Sequence, residues 1–241
     1  MNSETGPTTL DLWNLRAARA RLLADRYGAS REILLFYAGL AEWQGQMTGR
    51  VKTLAGLEEF FPSLLDLVRR TGPAALGQAA RDLDVSRRRV LLEEYWEGRA
   101  RNSPADFFAR VLLQPYAATL TPGQECPWCQ EPPQVGRLRP QGEGLALDLV
   151  CALCLRCRPF PRARCPGCNE SVEANLSNLS APDFPQLRLQ ACETCRGYLP
   201  LVDLSRDPEA IPEVDELAGL PLDLWAHDQG YHKLHPNLAG I

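Results

Sequence analysis

The sequence predicts an α+β protein: an N-terminal helical bundle, then two tandem β modules of the rubredoxin-like or zinc-ribbon kind, and a short C-terminal helix. Three observations lead to this prediction. Apolar residues recur at helical spacing through the first 120 residues. All nine cysteines lie between Cys126 and Cys195. Eight of them form CxxC pairs, and runs in which apolar and polar residues alternate, as they do in strands, precede two of these pairs.

The composition excludes two broad classes of protein. The chain has 241 residues and a formal net charge of −4, which does not fit a broadly basic nucleic-acid coat. Its hydrophobic fraction of 45% and charged fraction of 23% are close to those of globular proteins, so wholesale disorder is not expected.

The clustering of the thiols and the N-terminal residues bear on the compartment. A disulfide-stapled secreted protein would spread its cysteines through the fold. The opening Met-Asn-Ser-Glu-Thr-Gly-Pro lacks the basic and apolar regions of a signal peptide. No uncharged apolar run approaches the roughly 18 residues that a membrane span needs. We therefore expect a cytoplasmic protein whose thiols serve metal or redox chemistry, with no membrane partner.

We expect residues 1–120 to form the helical domain. The first helix is predicted from the stripe Leu12, Leu15, Ala18 and Leu22, and Gly28 ends it. Ser30 can cap the second helix. The apolar stripe of that helix consists of Ile33, Phe36, Tyr37, Leu40, Trp43 and Met47.

The rest of this domain carries its own start and stop signals. A third helix contains Phe60, Phe61, Leu64 and Val68 and is closed by Gly72-Pro73. Shorter helices are expected over 74–83 and 87–98. Ser103 followed by Pro104 and Asp106 marks the start of another helix, because serine caps, proline fits the first turn and an acid lies three residues after the cap. Pro115 should kink or restart that helix.

From residue 121 the prolines and cysteines replace the helical stripes. We divide this part into 121–168 (first ribbon and third knuckle), 169–205 (second ribbon) and 206–241 (C-terminal helical tail). Strands are predicted before Cys151 and before Cys192, with a return strand over 198–202. The polar stretch 169–185 is predicted to form a loop. The tail pattern over 214–228 is helical, and Gly219 with Pro221 should split it.

The cysteine pairs predict two metal sites. A CxxC turn points two sulfurs at one ion, and two such knuckles complete a tetrahedral four-thiolate site. The first two pairs are separated by 21 residues and the last two by 23, which suits a β-hairpin that returns one knuckle to the other. The candidate ligands are Cys126, Cys129, Cys151, Cys154, Cys165, Cys168, Cys192 and Cys195.

Pairing and metal identity remain open at this point. Sequential sites would join the first pair to the second and the third to the fourth, whereas a cross-braced arrangement would interleave them. The alternating strands favour the sequential order. Four thiolates suit zinc and also a mononuclear iron of the rubredoxin kind.

Cys157 is left over as an auxiliary thiol. It forms an overlapping CxxC with Cys154, and four arginines surround it. Nearby positive charge would lower a thiol pKa, so a reactive thiol is the sharper alternative to a spare one. The surrounding arginines are Arg156, Arg158, Arg162 and Arg164.

No catalytic motif is visible, so the sequence predicts a protein that is not an enzyme. It has no phosphate-binding GxxxxGK[ST] loop, no HExxH and no GxGxxG after a strand. The histidines His227, His232 and His235 all lie in the tail, where we expect them to be solvated.

Nearly the whole chain resembles a known family. The knuckles Cys126-Pro-Trp-Cys129, Cys151-Ala-Leu-Cys154, Cys165-Pro-Gly-Cys168 and Cys192-Glu-Thr-Cys195 occur in the order found in FdhE, the formate dehydrogenase accessory proteins. The segments 108–117, 37–44 and 217–231 also resemble that family. One departure is that Gln130, Leu155, Asn169 and Arg196 replace the glycine often found after a knuckle.

The resemblance implies a cytoplasmic accessory protein that is needed for active formate dehydrogenase and acts on its catalytic subunit. It also implies two mononuclear iron sites, with zinc as the alternative. Two other functions stay open. A nucleic-acid-binding zinc-ribbon protein could use Arg87-Arg88-Arg89 and the arginines around Cys157, although nucleic acid is not favoured as a partner. A rubredoxin-like redox carrier could use the iron. Whether two copies form a homodimer is also left open.

Overall fold

The computed structural model describes residues 9–99, 103–120 and 126–238, and it has the predicted helical region followed by a β region. The predicted boundary at residue 121 lies outside the described residues, and the division into domains stays a prediction. No helix in these ranges is long and apolar enough to span a bilayer. The N-terminal helices are α1 (Thr9–Arg26), α2 (Arg31–Met47), α3 (Phe61–Thr71), α4 (Ala74–Asp82), α5 (Arg88–Trp96) and α6 (Pro104–Ala118).

The predicted core face of α1 is wrong. Leu12, Leu15 and Leu22 are 39%, 52% and 56% exposed. The buried face is offset by about one residue and is rich in alanine, which lets α1 and α2 approach closely. The prediction was based on the larger leucine side chains. Close packing of two helices instead favours the small side chains of alanine. The buried residues of α1 include Trp13, Ala17, Ala20, Leu23 and Ala24.

The start of α6 follows its sequence signals, whereas the predicted restart at Pro115 does not occur. The backbone N–H of Ser103 donates to Asp106 Oδ2 at 3.0 Å, and the two residues form a capping box at the predicted start of the helix. The helix does not restart at Pro115 and continues to Ala118. The carbonyl of Val111, which would accept from residue 115, accepts instead from Gln44 Nε2 at 2.9 Å. A side chain of α2 therefore replaces the missing helical donor.

The C-terminal tail forms two helices that meet at Gly219, as predicted. These are α7 (Pro212–Ala218) and α8 (Leu220–Asp228). Helix α7 is buried between the helical bundle and the sheet. Arg19 holds it through a bidentate contact with Asp215, with N–O distances of 2.9 and 2.5 Å. Arg16 contacts Glu213 at 2.6 Å. Buried ion pairs thus fix the acidic tail to α1.

The described part of the β region forms one seven-stranded sheet. Two antiparallel units, β3-β2-β1 and β6-β5-β4, are joined by parallel pairing of β1 with β6, and β7 also lies parallel to β6. The two predicted ribbons therefore share a continuous sheet. The strands are β1 (Val135–Gln141), β2 (Gly144–Val150), β3 (Cys157–Phe160), β4 (Leu176–Leu179), β5 (Leu187–Cys192), β6 (Gly197–Asp203) and β7 (His232–Lys233).

Two details of the strand prediction need correction. Strand β4 lies inside the stretch predicted as a loop, where it pairs with β5 from Leu176 opposite Cys192 to Leu179 opposite Leu189. Its four residues are too few for alternation to stand out from a polar background. Strands β1 and β3 also went unassigned, since Arg137 and Pro159 interrupt their apolar pattern.

Candidate metal centres

The eight paired cysteines converge in two clusters. Within each cluster the four sulfurs lie within 4.8 Å of one another. Each cluster joins consecutive knuckles, the sequential rather than the interleaved order. We call the first cluster site A, which consists of Cys126, Cys129, Cys151 and Cys154. We call the second site B, which consists of Cys165, Cys168, Cys192 and Cys195.

The sulfur–sulfur distances fit the edges of a metal–thiolate tetrahedron. In site A, the Cys126–Cys151 distance is 3.9 Å and the Cys129–Cys154 distance is 3.5 Å. In site B, the Cys165–Cys195 and Cys168–Cys192 distances are both 3.7 Å. Metal–sulfur bonds of about 2.3 Å give a tetrahedral edge of about 3.8 Å, whereas a disulfide requires about 2.05 Å. All nine cysteines are free thiols, and both clusters fit a four-coordinate metal ion.

Backbone N–H groups within and just after the CxxC turns of site B donate to the sulfurs. Gly167 N donates to Cys165 Sγ at 3.3 Å, and Gly197 N donates to Cys195 Sγ at 3.4 Å. Such donors stabilise thiolate charge, so each turn prepares its sulfur for a cation. Gly167 lies inside the Cys165–Cys168 turn, whereas Gly197 is the second residue after Cys195 and lies outside the CxxC turn.

Three knuckles end in a left-handed residue. Leu155, Asn169 and Arg196 have φ of 59°, 64° and 56° and directly follow the last cysteine of their knuckles. These are three of the four positions at which the chain lacks the glycine common in the resembled family. Side chains are disfavoured at positive φ, although asparagine tolerates it better than leucine or arginine.

The thiols of site A titrate as a group. Hydrogen bonds from Cys126 and Cys154 lower the pKa of Cys151, and the backbone N–H groups of Leu153 and Cys154 lower it further. The hydrogen bond to Cys151 raises the pKa of Cys126, and hydrogen bonds with both neighbours raise that of Cys154. Metal binding would displace the protons that these thiols share.

Site A is built into the helical domain. The Trp128 ring, inside the first knuckle, stacks on Tyr95 with a centroid distance of 4.7 Å, and its Nε1–H donates to the Tyr95 carbonyl at 2.9 Å. In the second knuckle, the Ala152 carbonyl accepts from Arg110 Nε at 3.2 Å and Gln114 Nε2 at 3.0 Å. Helices α5 and α6 thus position both knuckles.

These supporting polar residues were not expected from the sequence. Arg110 and Gln114 lie one helical turn apart on α6 and are 4% and 2% exposed. Gln114 also accepts from Gln44 Nε2 at 3.1 Å. Two polar side chains at i and i+4 within the otherwise apolar stripe of α6 were the available signal.

Site B is closer to solvent. Cys168 is exposed, and Cys195 is half-buried. Glu170 connects its two knuckles, because the carboxylate accepts from the Thr194 hydroxyl at 2.5 Å and from the Val172 N–H at 2.8 Å. The hydrogen bond from Thr194 is the main cause that lowers the pKa of Glu170 to about 2.

The expectation of solvated tail histidines is wrong for His235. Its ring lies edge-on to Trp128 with a centroid distance of 5.5 Å, and its Nδ1 lies 2.8 Å from the Pro236 carbonyl oxygen. Because a carbonyl only accepts, this nitrogen carries the proton. Burial, followed by the charge of Arg110, lowers the pKa of His235 to about 3. His227 and His232 are exposed, as expected.

Cys157 belongs to neither cluster. The residue is exposed and begins β3. Desolvation of the thiol raises its pKa despite the neighbouring charge of Arg137. The pKa shift is thus upward and not downward, and a reactive role for Cys157 stays a prediction.

A helical region joined to a sheet with two four-cysteine clusters defines a class of zinc-ribbon-like proteins with two candidate metal centres. Comparison with known proteins narrows this class. Residues 163–239 match the family model "FdhE, C-terminal domain". The chain is similar to the FdhE proteins, and the predicted resemblance to that family is confirmed.

The similarity extends beyond the C-terminal domain. An FdhE homologue of Aquifex aeolicus is 26% identical over 199 residues, which cover 76% of this chain and 70% of that protein. An FdhE homologue of Stutzerimonas stutzeri is 37% identical over 115 residues, which cover 47% of this chain and 37% of that protein. The crystal structure of FdhE from Pseudomonas aeruginosa shares the fold, with a TM-score of 0.72, 24% identity and 96% coverage of both chains.

Proposed function

We propose that this protein is a cytoplasmic accessory protein for formate dehydrogenase, and that it binds the catalytic subunit of that enzyme during maturation. The observation that carries the proposal is the pair of four-cysteine sites in a chain with the FdhE fold. The similarity of residues 163–239 to the FdhE C-terminal domain supports it. The protein acts by binding rather than by catalysis, since the sequence offers no catalytic motif.

The partner is tested in the native host. The tagged protein should retain the formate dehydrogenase catalytic subunit from a lysate, and deletion of its gene should abolish formate oxidation. Re-expression should restore that activity. If deletion leaves formate oxidation intact and no catalytic subunit is retained, the proposal is wrong.

We further propose that sites A and B each hold one mononuclear iron ion, with zinc as the alternative occupant. All-sulfur tetrahedral donors suit both metals. Iron would supply a one-electron couple, whereas zinc would be redox-inert. In either case the eight cysteines would hold their knuckles together and couple metal binding to folding.

Elemental analysis and a visible spectrum of the purified protein test the metal. Two iron ions per chain should give a coloured oxidised protein that bleaches with dithionite. A colourless protein that contains two zinc ions per chain would show that zinc and not iron occupies the sites. The proposed accessory role would still stand.

A rubredoxin-like redox carrier is the second candidate, and the exposure of Cys168 in site B favours it. An iron ion held there would lie near solvent, where electron exchange with another protein is easiest. Reversible reduction of site B, together with intact formate oxidation in the deletion strain, would support this candidate over the accessory role.

A further inference from the structure

Two arginine runs stand out in the sequence, and the structure treats them differently. In the helical domain, Arg89 contacts Glu58 at 3.2 Å and Arg87 contacts Glu94 at 3.7 Å. Arg88 lies over the Phe61 ring, 5.6 Å from its centroid. The acids of the same domain therefore largely neutralise this first run.

The second run has no such partners. In the described part of the chain, none of its four guanidinium groups forms an ion pair. Arg162 NH1 donates only to the Leu145 carbonyl, at 3.2 Å, and Arg158 lies over the Phe160 ring. The chain is acidic overall, and these four unpaired arginines lie within nine consecutive residues around the edge strand β3. This basic patch consists of Arg156, Arg158, Arg162 and Arg164.

An apolar trough of about 590 Å³ lies beside the basic patch. Its lining includes Leu147, Pro159, Phe160 and Pro161, with Arg139 and Arg162 among the polar residues. Arg139 is paired with Asp148 at 3.0 Å, whereas Arg162 remains free for an external carboxylate. The surface therefore offers apolar contact and unpaired positive charge side by side.

Strand β3 borders this surface at the edge of the sheet. An edge strand can be extended by a partner strand, but Pro159 lacks the N–H that such pairing uses. Pro159 already hinders the addition of a partner strand at this edge. The four arginines are therefore not needed to prevent strand addition, and their presence calls for another explanation. Recognition here would use side chains, through charge and apolar contact, rather than a continuous ladder of backbone hydrogen bonds.

We propose that the trough and the basic patch bind an extended peptide segment in which acidic side chains alternate with large apolar ones. Carboxylates would contact Arg158 and Arg162, and apolar side chains would cover Pro159 and Phe160, which the sheet leaves at least partly exposed. The chemistry favours a peptide over nucleic acid, because the trough is apolar and a peptide can supply large apolar side chains together with its carboxylates. As the source of the segment we assign the catalytic subunit, an assignment that rests on the proposed function.

Titration of the metal-loaded full chain with two synthetic peptides tests the site. The first is acetyl-Glu-Leu-Asp-Leu-Glu-amide, and the second replaces its acids by Gln and Asn. The acidic peptide should bind more tightly by about tenfold or more, with an affinity that falls as salt rises. Equal binding of both peptides, or no binding of either, would overturn the proposal. So would tighter binding of a single-stranded oligonucleotide of equal charge.

Two double variants with the same change in net charge provide the matched control. The affinity of R158E/R162E for the acidic peptide should be lower than that of the wild type by about tenfold or more, whereas R87E/R89E should bind the peptide with wild-type affinity. Metal content and circular dichroism establish that both variants are folded. Equal losses of affinity in the two variants would show a general effect of net charge and would overturn the proposed site.

Capture of the catalytic subunit separates this inference from the proposed function. R158E/R162E should retain about tenfold less subunit than the wild type, and R87E/R89E should retain the same amount. If all three proteins retain it equally, the accessory role stands and the docking site is wrong. If the wild type retains none but discriminates the peptides as described, the proposed partner is wrong and the peptide site stands.

Discussion

The side-chain amide of Gln44 donates to the carbonyl oxygen of Val111 across the interface between α2 and α6. Pro115 makes this bond necessary, because it leaves that carbonyl without its i+4 donor inside a buried helix. Gln44 also donates to Gln114, and Gln114 donates to the Ala152 carbonyl beside site A. A proline in one helix is thus linked through two glutamines to a metal-site knuckle.

Replacement of Gln44 should destabilise the helical domain. Gln44→Met keeps the volume but leaves the Val111 carbonyl buried and unpaired, at a cost of about 1–3 kcal/mol in the free energy of unfolding. Denaturant unfolding measures it. In a Pro115→Ala background the carbonyl regains a helical donor, so the same change should cost less. Gln46→Met, at an exposed position of α2, is the control. An equal cost in both backgrounds would contradict this role.

The seam between the two halves of the sheet should depend on Gly136. It lies opposite Leu201 in the parallel pairing of β1 with β6, and an added Cβ would lie 2.4 Å from Leu201 and 2.9 Å from Leu147. Gly136→Ala should therefore cost about 1–3 kcal/mol of unfolding free energy through overpacking. At Gly144 in β2, the nearest atom would be 4.0 Å away, so Gly144→Ala should be close to neutral. Thermal unfolding of both variants decides the point.

The sequence predicted the parts of this fold that short-range chemistry determines. Helix α6 starts at its capping residues, α7 and α8 divide at Gly219, and the strands before Cys151 and Cys192 form as expected. The seam at Gly136 was not predictable in this way, because pairing of strands far apart in the chain leaves no local periodicity. The polar support of site A left a local signal, Arg110 and Gln114 within the apolar stripe of α6, but their partner, the Ala152 carbonyl, lies about 40 residues away in the chain and was not predictable.

The left-handed residue after the third knuckle should respond to side-chain shape. Asn169 has φ of 64° and its N–H donates to the Cys165 carbonyl at 2.9 Å, so the turn cannot relax without opening site B. Asn169→Gly should be neutral or stabilising, whereas Asn169→Val should be less stable than the glycine variant by about 1–2 kcal/mol. Metal release from site B to a chelator should be correspondingly faster in the valine variant. Equal release rates in the two variants would be evidence against strain at this position.

His235 should contribute a pH dependence to stability. Its pKa is about 3 in the folded chain, below the ordinary histidine value of 6.5, so below pH 6.5 the unfolded chain binds the proton more readily. Its contribution is complete above pH 6.5 and is lost as the pH falls toward 3, by up to about 1.4 kcal/mol per pH unit. His235→Phe keeps a ring against Trp128 and should flatten that part of the profile. The difference between the two profiles isolates His235 from acid release of metal, which both proteins share.

Substitution of one cluster cysteine should remove one metal, and substitution of the ninth cysteine should remove none. Cys126→Ser takes a thiolate from site A, whose knuckles are packed against Tyr95 and α6. We expect its metal content to fall from two ions per chain to one, with lower stability of the helical domain, because binding energy on the order of 10 kcal/mol is coupled to folding. Cys157→Ser should keep both metals, since that sulfur lies outside both clusters. Cys168→Ser, in the exposed site B, should lose one metal and leave the helical domain closer to wild-type stability. Elemental analysis with thermal unfolding of the three variants measures these effects, and loss of metal from Cys157→Ser would require a different assignment of the eight ligands.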